Sequence, residues 1–278
     1  HMGRAQILLF GDSITQQSFS VGGWGARLAD RYQRRAHVLN LGYSGYNTRW
    51  ALELLPLLFD VPDASSVRLV TIFFGANDAS HMEHNPRQHV PLQEYKENLR
   101  KLVIHVCSKC LNAKVLLICP PPVCHAQRLV FQQNQYPNSA TGILERTNEN
   151  TGEYAAAAAA LATEMGIQSI HLWQEMQSAA PGDDWHKFLS DGLHLSLEGN
   201  EFVANRLIAK IGDAFPELAV TPCEVTGGFG NSGSCCLGIL EDAPWHDQID
   251  FKNHKEVFKK TKPDAQEATR LEPDLTGN

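Results

Sequence analysis

Along the chain, short segments rich in apolar residues alternate with longer stretches in which apolar positions recur every three or four residues. The short segments lie at Gln6 to Phe10, His37 to Leu41, Arg68 to Phe74, Lys114 to Cys119 and Gln168 to Trp173, five candidate strands in all. Val-Thr-Ile-Phe-Phe at 70–74 and Val-Leu-Leu-Ile-Cys at 115–119 run without the alternation that would leave one face wet. Such runs predict strands covered on both faces, as in a parallel sheet. The clearest helical stretch runs from Leu92 to Cys110, where Leu92, Tyr95, Leu99, Leu102, Val103 and Val106 share one face that can pack on the sheet. A second predicted helix carries the alanine run Ala155 to Ala160, the composition with the best helix propensity, and stops at Gly166, which suits the position after a helix end. Strands alternating with helices through right-handed crossovers predict an α/β fold, a doubly wound parallel sheet with helices on both faces. Ligands of such sheets bind beyond the carboxyl ends of the strands.

Composition narrows this picture. With 278 residues and 43% hydrophobic content, the chain can bury a large core. The expected division is one domain over 1–215 and a C-terminal tail over 216–278, disordered in part or packed on the domain. Within that tail, 223–240 is rich in glycine and cysteine, and the charged, proline-containing sequence from Lys259 onward reads as solvated and disordered. A net charge of -7 with scattered basic residues gives no cationic stripe for a phosphate backbone, so nucleic acid is not an expected partner. The longest apolar start, Ile7-Leu8-Leu9-Phe10, is too short for a signal-peptide core or a membrane span, and His1-Met2 reads as an expression remnant. Seven cysteines without paired spacing argue against a disulfide framework, and a cytoplasmic location is expected. Cys107-Ser-Lys-Cys110 falls late in a helical pattern rather than after a strand. His81-Met-Glu-His84 lacks the residue order of a metalloprotease motif. The expectation is therefore no metal and no other cofactor.

Chemistry concentrates where the predicted strands end. Gly11-Asp12-Ser13 follows the first, Gly42 to Asn47 the second and Gly75-Ala76-Asn77-Asp78 the third. A serine hydroxyl is a weak nucleophile until a neighbouring base takes its proton. Asp191-Gly192-Leu193-His194 can supply that base, with Gly192 allowing a turn through which Asp191 reaches the ring nitrogen facing away from Ser13. Asp12 is the competing carboxylate, but neighbours on an extended segment point apart, which favours Asp191 as the orienting acid. Donors for an oxyanion are available from the backbone N–H groups of Ser13 and Gly45 and the side-chain amide of Asn77. Taken singly, each motif has an ordinary reading: a Gly-Asp-Ser turn, an Asn-Asp turn, a structural histidine. Their joint placement at successive strand ends favours catalysis. Phe19, Trp24, Tyr46, Trp50, Trp185 and Leu193 offer apolar surface near that edge. Trp24 and Trp50 sit at predicted helix starts and are expected to be supports, whereas Tyr46 and Leu193 are the expected substrate contacts.

GDSIT at 11–15, YSGYNT at 43–48, FGAND at 74–78 and DGLHLS at 191–196 resemble the four sequence blocks of the SGNH, or GDSL-like, hydrolases, in the family's order. The resemblance spans about 6–215. The strings GGWGARLADRY, LGYSGYNTRWA, TIFFGANDAS and SDGLHLSLEGNEF are similar to the isoamyl acetate-hydrolysing esterase branch. This resemblance implies a flavodoxin-like three-layer α/β/α sandwich with a five-stranded parallel sheet. It also implies that Ser13, Gly45, Asn77 and His194 are the namesake residues, that no metal takes part, and that small acetate or other short-chain esters are hydrolysed. An acyltransferase, a deacetylase or lysophospholipase with the same triad, and a non-catalytic binding module are the alternatives. In the resembled branch the C-terminus can cover the active site or form a dimer contact, so a homodimer is compatible with this reading.

Overall fold

The computed structural model describes residues 4–59, 64–138 and 140–220, together with 238, 239, 241, 243 and 249. Most of the Gly/Cys-rich stretch 223–240 and all of the tail from Lys259, with the expectations for them, lie outside these residues. The described residues up to 220, together with 238 and 239, group into one compact unit.

In this unit, five parallel strands form one sheet in the order β2-β1-β3-β4-β5. They are β1 (Ala5–Gly11), β2 (Ala36–Gly42), β3 (Val67–Phe73), β4 (Lys114–Ile118) and β5 (Gln168–Ile170). This is the flavodoxin-like order, and its reversal point lies between β1 and β3. The helices are α1 (Ser13–Gln16), α2 (Trp24–Arg31), α3 (Thr48–Phe59), α4 (Leu92–Lys109), α5 (His125–Gln135), α6 (Asn148–Glu164), α7 (Leu172–Ala179) and α8 (Leu197–Ala214).

Side chains of a strand alternate between faces, and both faces here are apolar. Ile7 and Leu9 of β1 enter a core with Trp24 and Leu28 of α2, Met176 of α7 and Leu207 and Ile211 of α8. Leu8 and Phe10 point the other way, into a core with Leu55 of α3, Leu99 and Leu102 of α4 and Leu161 of α6. Each such fully buried side chain contributes about 1.5–3 kcal/mol relative to exposure, so the sheet is held from both sides. This is the expected three-layer sandwich.

The two helices singled out from the sequence form, α4 with the predicted buried face and α6 with its alanine run. At the start of α6, Thr147 Oγ1 accepts from Asn150 N at 3.2 Å; at its end, Gly166 takes φ +67. The fifth strand is shorter than expected: it ends at Ile170, and Trp173 belongs to α7. His171 caps that helix and Leu172 is buried in its first turn, so a segment that reads as one strand splits between two elements. Past residue 215 the compact unit continues through buried Leu218, whose carbonyl accepts the Tyr32 hydroxyl at 2.7 Å.

Candidate active site

The carboxyl ends of β1, β2 and β3 turn directly into the three blocks. After β1, Asp12 caps α1, its Oδ1 accepting from Ile14 N at 2.9 Å, and Ser13 is the first helical residue. Trp24 is fully buried, as its expected supporting role requires; its indole N–H donates to the Ile14 carbonyl at 3.1 Å and so braces the serine-bearing turn from below. After β2, Tyr43 N donates to the Gly11 carbonyl at 2.8 Å, tying this loop to the first. Gly45 then takes φ +80, a backbone region that strains any residue with a Cβ. After β3, Asp78 is buried and its Oδ1 accepts from Thr48 N at 2.9 Å and from the Thr48 hydroxyl, locking the third loop to the start of α3.

The fourth block comes from far along the chain. Leu189 and Leu195 form an isolated antiparallel bridge, and the turn they bracket carries Asp191 and His194. Gly192 lies at φ +85 against the start of α5; a Cβ there would meet the Cys124 carbonyl at 2.5 Å. Asp191 Oδ1 accepts from the backbone N–H groups of Leu193 and His194 at 2.9 and 2.7 Å. Asp191 Oδ2 faces His194 Nδ1 at 2.8 Å, and His194 Nε2 lies 2.9 Å from Ser13 Oγ. A carboxylate only accepts, so Nδ1 carries the proton and Nε2 is free to accept from the serine. Burial pushes the Asp191 carboxyl up, but the His194 bond and charge, with the two backbone donors, outweigh it and hold the group well below the usual carboxylate range.

The rival carboxylate behaves differently. Asp12 makes its cap bond and is completely buried, and desolvation raises its pKa to about 6 against the opposing pull of the Ile14 bond and the His194 and Arg146 charges. Asp78, equally buried, is pushed up to about 7 by desolvation, with the Thr48 bonds opposing.

Ser13, Gly45 and Asn77 line one cavity of about 690 Å³ together with Leu193 and His194. The Asn77 amide is held from both sides: Nδ2 donates to the Tyr46 carbonyl at 2.9 Å and Oδ1 accepts from Arg146 Nη2 at 3.1 Å. Of the two expected substrate contacts, Leu193 is in the cavity wall, whereas the Tyr46 ring packs between Tyr43 and Trp50 and does not line the cavity. The contribution of Tyr46 comes through its carbonyl instead. Trp185 is buried in the core, Phe19 is exposed, and the aromatic rings that do line the cavity are Phe131 of α5 and Tyr136 just beyond it.

Three charged residues that the sequence reading passed over complete the site. Arg128 of α5 donates to Asp191 Oδ2 at 3.3 Å and to Glu145 Oε1 at 2.9 Å, with its guanidinium 4.7 Å over the Phe131 ring. Glu145 also pairs with Arg146, which is 3% exposed and donates through Nε to the Ala76 carbonyl at 2.9 Å. Burial works against the Glu145 carboxylate, but the charges of Arg146 and Arg128 win and lower its pKa. The Arg146 guanidinium also donates to Gln88 Oε1, and Gln88 Nε2 donates to the Gly45 carbonyl at 2.9 Å. For Arg146 the sequence offers only an Arg-Thr-Asn-Glu string at the start of α6, which reads as an ordinary helix start.

Residues 7–207 match the GDSL-like lipase/acylhydrolase family. Among curated relatives, the chain is 43% identical to a GDSL esterase/lipase of Arabidopsis thaliana over 92% of this chain and 98% of that protein. It is 47% identical to the isoamyl acetate-hydrolyzing esterase 1 homolog of Bos taurus, over 73% of this chain and 79% of the relative. Among solved structures, a lipase/acylhydrolase from Enterococcus faecalis superposes with a TM-score of 0.57 at 26% identity, covering 75% of this chain and 96% of that one. The acetyl xylan esterase AlAXEase shares the fold, with a TM-score of 0.58 at 19% identity over 74% of this chain and 99% of that one. No helix among the described residues is long and apolar enough to cross a membrane. The chain belongs to the GDSL-like lipase/acylhydrolase family, and with it to the carboxylic ester hydrolases.

Proposed function

We propose that this enzyme hydrolyses short-chain, acetate-type carboxylic esters through an acyl-enzyme on Ser13. The observation that carries the reading is the continuous line from Asp191 Oδ2 to His194 Nδ1 at 2.8 Å and from His194 Nε2 to Ser13 Oγ at 2.9 Å. In the first half-reaction the Ser13 oxygen attacks the ester carbonyl while His194 Nε2 takes its proton. The tetrahedral oxyanion is received by the backbone N–H groups of Ser13 and Gly45 and the remaining N–H of the Asn77 amide. His194 returns the proton to the departing alcohol. In the second half-reaction the same ring takes a proton from water, the hydroxide attacks the acyl carbonyl, and Ser13 leaves with that proton. Asp191 holds the ring in the productive tautomer throughout.

The acetate preference draws on the isoamyl acetate-hydrolyzing relatives, and a cavity of about 690 Å³ has room for both a small acyl group and an alcohol moiety. Leu193 is the proposed apolar contact. The odd cysteine count supports a reducing, cytoplasmic setting. Hydrolysis of p-nitrophenyl esters from acetyl to decanoyl, with fluorophosphonate labelling in parallel, tests the reading. Acetate should be the best substrate, and Ser13→Ala should abolish both hydrolysis and labelling. Undiminished hydrolysis by Ser13→Ala would refute the scheme.

A further inference from the structure

The Asn77 carboxamide has two rotamers that differ only in exchanging oxygen and nitrogen, and just one of them supplies a donor to the oxyanion. Its two fixed neighbours decide between them. The Tyr46 carbonyl can only accept and a guanidinium can only donate, so Nδ2 must face Tyr46 at 2.9 Å and Oδ1 must face Arg146 at 3.1 Å. With Oδ1 and one amide hydrogen both engaged, the second hydrogen is left for the cavity.

We propose that Arg146 is a positioning residue for ester hydrolysis, which holds the Asn77 amide in its donating orientation and polarises it toward a stronger N–H donor. The inference rests on the reading of Ser13, Gly45 and Asn77 as the catalytic constellation. Three observations support it. Arg146 is almost completely buried, yet it also lines the cavity beside Asn77, a costly place for a cation unless each contact is used. Its other donors are committed to rigid partners, the Ala76 carbonyl one residue before Asn77 and the Glu145 carboxylate. Glu145 is in turn held by Arg128, which also reaches Asp191, so the guanidinium cannot swing away without breaking a chain of ion pairs. Hydrogen bonds in such chains polarise one another, and a charge on the acceptor side of an amide strengthens its donor side.

Lysine has one ammonium in place of a planar fork and cannot keep the Asn77, Ala76 and Gln88 contacts together. Arg146→Lys is therefore expected to lower kcat for p-nitrophenyl acetate by roughly ten- to a hundredfold, part of the loss for a missing oxyanion donor, with KM changed less than threefold. Asn77→Ala and the double variant complete the cycle: the double should be no slower than Asn77→Ala alone, because Arg146 acts through that amide. Retention of kcat within twofold by Arg146→Lys, or losses that multiply in the double variant, would overturn the proposal. A wild-type enzyme without esterase activity would instead bring down the functional reading, and this inference with it. Should Arg146→Lys fail to fold, the wild-type enzyme answers by NMR. Nuclear Overhauser contacts from the Asn77 Nδ2 protons that are stronger to Tyr46 than to the Arg146 guanidinium protons support the assigned orientation, and the reverse ranking refutes it.

Discussion

Replacing Asp191 by asparagine changes one atom and should stop catalysis almost completely. The backbone N–H groups of Leu193 and His194 both donate to Oδ1, at 2.9 and 2.7 Å, so in Asp191→Asn they retain the carboxamide oxygen on that side. The new NH2 group must then take the place of Oδ2, 2.8 Å from His194 Nδ1 and 3.3 Å from Arg128 Nη1. Facing a donor, Nδ1 becomes the acceptor and the ring proton moves to Nε2, where it blocks the transfer from Ser13. A triad histidine locked in this tautomer costs about 10⁴-fold in kcat, or about 5 kcal/mol of barrier. The Arg128 contact adds to the mismatch, because two donors now point at each other. Steady-state hydrolysis of p-nitrophenyl acetate at neutral pH measures the loss, and circular dichroism checks that the variant is folded. A folded Asp191→Asn enzyme that loses less than tenfold would refute the assignment of Asp191 as the orienting acid and return attention to Asp12.

Two further outcomes follow from the packing around the site. Asp78 is raised to about 7 from 3.8 by burial, so its folded form keeps a proton that the unfolded carboxyl releases. Its contribution to stability is fully present below the unfolded value and is lost as pH rises through the folded one. Tm should therefore fall as pH is raised toward neutrality, and Asp78→Asn, which stays uncharged, should flatten that slope; parallel Tm curves for the two proteins would contradict this account. Gly192→Ala places a Cβ 2.5 Å from the Cys124 carbonyl and 2.6 Å from Arg128 N, at φ +85. The expected cost is about 1–3 kcal/mol of stability with a fall in kcat as the Asp191 to His194 turn shifts, and an unchanged Tm and kcat would show the turn to be adaptable.

The layered sheet was legible because strands covered on both faces must be apolar almost throughout, a pattern that survives in sequence regardless of what covers them. Helices α4 and α6 were legible for a similar local reason, one from its repeating apolar face and the other from alanine propensity and a glycine stop. The blocks around Ser13, Gly45, Asn77 and His194 were visible because each sits at a strand end or in a short turn of small and polar residues. The fifth strand was read too long because the segment from Gln168 to Trp173, with apolar Ile170, Leu172 and Trp173, carries no mark of where a strand yields to a helix. Tyr46 was read as a substrate contact because sequence gives a residue's place in a loop but not the direction of its ring.

The charged chain through Arg128, Glu145 and Arg146 was decided only in three dimensions. Arginine and glutamate on a helix and a loop are solvated residues by default, and nothing local distinguishes these three from the many that are. Their burial follows from contacts between positions such as 146 and 77, or 128 and 191, separated by some 60–70 residues. Local propensity and periodicity are properties of neighbours in the chain and can be read from it. The electrostatic environment of a side chain depends on whichever distant segments exclude water around it, and that exists only once the sheet has brought them together.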